Sequence, residues 1–92
     1  MTQLTEHREI LEVAHRHGAR RVRVFGSYAR GQQTPESDID LLVELEPGRD
    51  LFDLVELKRE LEARLHRRVD VLTEQSLSPY IRDEVLQEAR PL

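Results

Sequence analysis

With 92 residues, 38% of them hydrophobic, and 18 acidic against 14 basic side chains for a formal charge of −4, the chain reads as one small soluble domain, residues 1–92. Cysteine is absent, which excludes disulfides and thiolate metal sites and leaves carboxylates and histidines as the strong ligands. The acidic balance disfavours sequence-independent binding to duplex DNA, and no apolar run approaches the ~18 residues that span a bilayer. The opening MTQLTEHREI has no signal-peptide pattern, so a cytoplasmic protein without a membrane partner is expected, with homo-oligomerisation left open. A domain this small buries only ~60–65% of its unfolded surface, so the acceptor of any reaction is expected to be held by another molecule.

The elements follow in chain order. From about Leu4 to His17, Leu4, Ile10, Leu11 and Ala14 share one helical face, and Gly18 supplies the stop. Arg21 to Phe25 alternates basic and apolar side chains as a half-buried strand, ended by Gly26, with a short helix expected after Ser27. Beyond a loop containing Gly31, Thr34 and Pro35, the run Ile39 to Leu45 places Ile39, Leu41, Val43 and Leu45 on one strand face, with Asp38 and Asp40 on the other. Asp50 caps a helix in which Leu51, Leu54, Val55, Leu61 and Leu65 recur, with Phe52 off the stripe; a third strand runs from about Arg68 to Thr73. Ser78 and Pro79 open a last helix carrying Ile81, Val85, Leu86 and Ala89, which Pro91 terminates. The expected fold is α+β: a small mixed three-stranded sheet with helices on one face and acidic residues on the other.

The stretch FGSYARGQQTPESDIDLL carries the chemistry. Gly26, without a Cβ, lets backbone N–H groups approach an anion after a strand; Ser27 adds a hydroxyl donor and Arg30 a positive charge for phosphates. Asp38 and Asp40 are two residues apart, so on a strand they leave the same face, where two repelling anions call for a hard cation between them. Asp70 offers a third carboxylate from another strand. If it lies beside that pair, the three can hold two Mg²⁺ ions ~3.5–4 Å apart, as nucleotidyl transfer requires.

Each feature has a plainer reading. A lone Gly-Ser pair is ordinarily a turn, Asp70 alone an ion-pair partner for Arg67 or Arg68, and the scattered His7, His15, His17 and His66 solvated side chains. Tyr28 and Tyr80 are read as packing residues, and Glu44 as an outside candidate on the aspartate face. Two aspartates in a strand otherwise rich in leucine and valine break the local β preference, a conflict expected at functional sites.

Gly26-Ser27, ten intervening residues, Asp38-x-Asp40 and a later Asp70 resemble the DNA polymerase β-type nucleotidyltransferase superfamily, in particular its minimal (MNT) branch. GSYARG, SDIDLLV, VDVLT and SPYIRDEVLQEA stand in that branch's order across nearly the whole chain. The resemblance implies Gly26 and Ser27 at the nucleotide phosphates, Asp38 and Asp40 on both Mg²⁺ ions, and Asp70 on the catalytic metal, with ATP as substrate. It also implies a HEPN-type toxin as partner and an antitoxin role, through adenylylation of a tyrosine. Transfer to RNA or a small molecule, and neutralisation by contact without turnover, are the competing expectations.

Overall fold

The computed structural model describes residues 6–92, so the expected contribution of Leu4 lies outside the described residues. Strands β1 (Ala19–Phe25), β2 (Ile39–Leu45), β3 (Val69–Leu72) and β4 (Arg90–Pro91) form one sheet in the order β3-β2-β1-β4. The pair β1/β2 is an antiparallel hairpin-like ladder, β2/β3 is parallel through a helical crossover, and β4 runs antiparallel to β1. The helices are α1 (His7–Arg16), α2 (Ser27–Arg30), α3 (Leu51–Leu65) and α4 (Pro79–Glu88), with a 3₁₀ turn at Glu74–Ser76. An α+β fold with a mixed sheet is therefore present, with four strands among the described residues where three were expected.

The extra strand follows from Pro91, which terminates α4 as expected but then pairs with Arg23 at the sheet edge. A proline lacks the N–H that an inner strand needs, and an edge position tolerates that loss.

Val22 and Val24 of β1 and the odd-numbered residues of β2 face α1 and α3. Val22, Val24, Ile39, Leu41, Val43 and Val69 pack there against Ile10, Val13 and Ala14 of α1 and Leu54, Leu57 and Leu61 of α3. The α3 stripe thus differs from expectation: Leu57 is fully buried, whereas Leu51 and Val55 are 73% and 47% exposed. Phe52, off the stripe, is exposed beside them. Asp50 begins α3 with a capping box: its Oδ1 accepts the N–H groups of Phe52 and Asp53, and Asp53 Oδ2 accepts the Asp50 N–H.

The helices do not all lie on one face. Val85, Leu86 and Ala89 in and after α4, with Leu77, pack on Phe25, Leu42 and Leu72, the opposite side of the sheet from α1 and α3. The side chains of Leu42 and Phe25 need that cover, because a sheet face carrying both would otherwise expose them to water. The acidic end of this face therefore borders a second, smaller apolar cluster. Tyr28 is buried, with Arg67 stacked 4.9 Å from its ring centroid, whereas Tyr80, expected to pack, is 95% exposed. His17 is not a freely solvated histidine: its Nε2 lies 2.7 Å from Glu60 Oε1, joining α1 to α3. Among the described residues no helix is long and apolar enough to cross a membrane.

Candidate active site

The start of β2 meets the end of β1 and the start of β3. The register pairs Phe25 with Asp40 and Asp40 with Asp70, so the two carboxylates stand on neighbouring strands, ~4.8 Å apart at the backbone, on the α4 side of the sheet. Asp70 is turned out of the core, its side chain 45% exposed. Asp38 immediately precedes β2 and is half-buried. Burial first, then the Asp70 charge and a hydrogen bond shared with Asp70, and more weakly Asp38, push the Asp40 carboxyl up to about 6; the Arg30 guanidinium opposes the shift.

Two side chains of α3 set the Asp70 position, and sequence reading missed both. Lys58 Nζ donates to the Val69 carbonyl at 2.6 Å and to Glu62 Oε2 at 3.0 Å; the same Glu62 oxygen accepts the Val69 N–H at 3.0 Å. Both backbone polar groups of Val69 are thereby clipped to α3 at the edge of the sheet, which guards β3 against the one-residue slip that would turn Asp70 to the other face. Lys58 also lies 3.9 Å from Asp70 Oδ1, so it, and not Arg67 or Arg68, is the cation beside this carboxylate. Their only advance signal was four-residue spacing on α3, common to many solvated helix pairs.

Gly26 closes the site from the β1 side. Its φ of 73° and ψ of −149° belong to a region that essentially only glycine adopts, and a Cβ there would run into the Asp40 carboxylate. The turn thus rests directly on Asp40. Ser27 begins α2, whose first turn is closed by the Gly26 carbonyl accepting the N–H groups of Ala29 and Arg30. Arg30 ends α2, with Nη1 2.6 Å from Glu88 Oε1 and Nε 3.2 Å from Gln32 Oε1. The same Glu88 carboxylate accepts the Gly26 N–H at 2.8 Å through its other oxygen, a contact that nothing in the sequence pattern signalled.

The donor set suits a hard divalent cation: oxygen-only, anionic and electrostatically frustrated without one, as the raised Asp40 shows. The convergence is that of a pair. Among the described residues no three carboxylate or imidazole groups lie together at metal-binding distances. Glu44, the outside candidate, is engaged with Arg20 at 2.7 Å. A cleft of about 470 Å³ does lie farther along the same face, between Arg20, Arg23, Glu44, Arg49 and Glu74, but its charges are largely internally paired, as in Arg23–Glu74 at 2.7 Å. Glu44 is four residues along β2 from Asp40, or ~13 Å, which separates this cleft from the aspartates.

Known proteins resemble this chain in sequence and in fold. The sequence matches the family described as Nucleotidyltransferase domain over residues 4–92. A Methanocaldococcus jannaschii protein, provisionally named a protein adenylyltransferase, is 50% identical over 82 residues, 89% of this chain and 88% of the relative. Protein adenylyltransferase MntA of Thermococcus cleftensis is 42% identical over 85 residues, 92% of this chain and 84% of its own. Among solved structures, a complex of tri-AMPylated Shewanella oneidensis HEPN toxin with MNT antitoxin contains a chain that superposes with a TM-score of 0.71 at 25% identity, covering 99% of this chain and 71% of that one. The protein belongs to the nucleotidyltransferase domain family, in its minimal branch, and is a nucleotidyltransferase.

Proposed function

We propose that this nucleotidyltransferase moves AMP from ATP, with Mg²⁺, onto a hydroxyl of a HEPN-type partner protein, a tyrosine hydroxyl in particular, and so acts as the antitoxin of a toxin–antitoxin pair. The observation that carries this reading is the contact between two features: the glycine-only turn at Gly26 rests on the carboxylate of Asp40, which stands beside Asp70. A phosphate held at the turn is thus delivered to the carboxylates. The names of the relatives, protein adenylyltransferase and AMPylated toxin with its antitoxin, support the choice of AMP and of a protein acceptor.

In the transfer, the acceptor hydroxyl gives up its proton to the surrounding water, its oxygen bonds to the α-phosphorus, the bond from that phosphorus to the bridging oxygen breaks, and pyrophosphate departs. Asp40 and Asp70, with Asp38 at the approach, would hold Mg²⁺, which supplies positive charge for the phosphate oxygens. Gly26 and Ser27 bind and orient the triphosphate, and Arg30 neutralises part of its charge.

Purified protein incubated with α-labelled ATP, Mg²⁺ and the HEPN partner tests the proposal. Label is expected on the partner and is expected to be lost with an Asp38→Ala, Asp40→Ala double variant. Label on RNA or a small acceptor alone would replace the protein substrate with that one. Protection of cells by the double variant would overturn catalysis as the means of neutralisation.

A further inference from the structure

Glu88 is the last residue of α4 and sits where the β1–β4 ladder would continue. Val24 pairs with Arg90 and the Leu92 N–H donates to the Val22 carbonyl at 3.1 Å; carried two residues on, that register brings Gly26 opposite Glu88. The backbone has left the sheet for α4 by then, and the Glu88 side chain takes the Gly26 N–H in its place, at 2.8 Å. The carboxylate is 19% exposed. Its anchor is firm, because Val85, Leu86 and Ala89 on either side of it are packed against Phe25 and Leu42.

Gly26 is consequently held from two sides, by Glu88 on its outer edge and by the Asp40 carboxylate against its Cα. The second Glu88 oxygen takes Arg30 Nη1 at 2.6 Å while Gln32 takes Nε, which fixes the plane of the guanidinium. The two N–H groups on Nη2 have no protein partner among the described residues. Charge-assisted hydrogen bonds of this kind are roughly twice as strong as neutral ones, and a guanidinium held at Nε and Nη1 presents the remaining Nη2 at little entropic cost.

Resting on the nucleotidyl-transfer reading, we infer that Glu88 is a positioning residue for the triphosphate: it braces the Gly26 turn from behind and presents Arg30 to the phosphates. It does not touch the nucleotide. The opposite role, a carboxylate that competes with phosphate for Arg30, would make its removal favourable to binding, so the two are distinguished by sign.

The test is calorimetric titration of ATP and of AMP, each with Mg²⁺, into the wild-type chain, Glu88→Gln, Arg30→Ala and the double variant, with thermal unfolding of each. Glu88→Gln keeps the volume and an oxygen for the Gly26 N–H while losing the charge that holds Arg30. It is expected to weaken ATP about tenfold, AMP less, and to weaken ATP no further once Arg30 is alanine. Equal or tighter ATP binding by Glu88→Gln overturns the inference, as does an equal loss for ATP and AMP accompanied by a lowered unfolding temperature, the mark of a merely structural contact. A wild-type chain that binds no ATP overturns the nucleotidyl-transfer reading itself, and this inference with it.

Discussion

Burial of Asp40, and then the Asp70 charge beside it, disfavour its ionisation, so the carboxyl keeps its proton up to about 6 instead of near 3.8. The sign of the consequence follows from proton counting. Between those two values the folded protein holds a proton that the unfolded chain has released, so the stability of the metal-free protein falls as pH rises from about 4 to about 6 and then levels. Asp40→Asn should abolish that fall and raise the unfolding temperature at pH 7 to 8, measured by thermal melts without divalent ions; an unaltered slope would assign it to other groups. The same proton competes with a cation, so Mg²⁺ affinity should decline below about pH 6. Transfer activity should fall by more than the ~10–100-fold typical of losing a metal's outer-shell partner, because Asp40 is proposed as a ligand itself. Gly26→Ala meets both an unsuitable φ and the Asp40 carboxylate, so it should lower activity together with stability, the backbone strain alone costing ~1–3 kcal/mol.

At the scale of elements, periodicity was informative where one face of an element is buried and misleading where an end projects beyond its support. In α3 the stripe Leu54, Leu57 and Leu61 is core, with Leu65 partly buried against it, whereas Leu51 on the first turn and Val55, ~100° around the helix from Leu54, are exposed. Leu57→Ala should accordingly cost ~2–5 kcal/mol and Leu51→Ala less than ~0.5 kcal/mol, a contrast that chemical denaturation can read. The turn at Gly26 and the alternate aspartates were legible because their spacing is local and their residue types conflict with a plain strand. Glu88, Lys58 and Glu62 were not: each is an ordinary glutamate or lysine on a polar helix, given its role by a partner 7 to 62 residues away. The second face of the sheet was likewise hidden, since reading Asp40 as a mark of an open acidic face overlooked Leu42 and Phe25 on the same side.

For the molecule as a whole, the decisive connection is the last one. The described chain leaves α4 on one face of the sheet, pairs with β1 through Arg90 and Pro91, and sets Leu92 against the larger core on the other face. The two apolar clusters are thus tied together at β1, the strand that leads into Gly26. Loss of residues 90–92 would remove the rungs beside Arg23 and Val24 and the Leu92 contact while leaving the aspartates untouched. Because a domain of this size shifts by roughly 4–8 °C per kcal/mol, that deletion should lower the unfolding temperature by several degrees. It should also free α4 first, because the apolar residues of α4 pack on the smaller cluster, and hydrogen exchange should therefore rise in α4 and at Gly26 before it rises in α1 or α3. Exchange that instead increased evenly across all four helices would show that the sheet unfolds as one unit and that β4 does not separately secure the nucleotide turn.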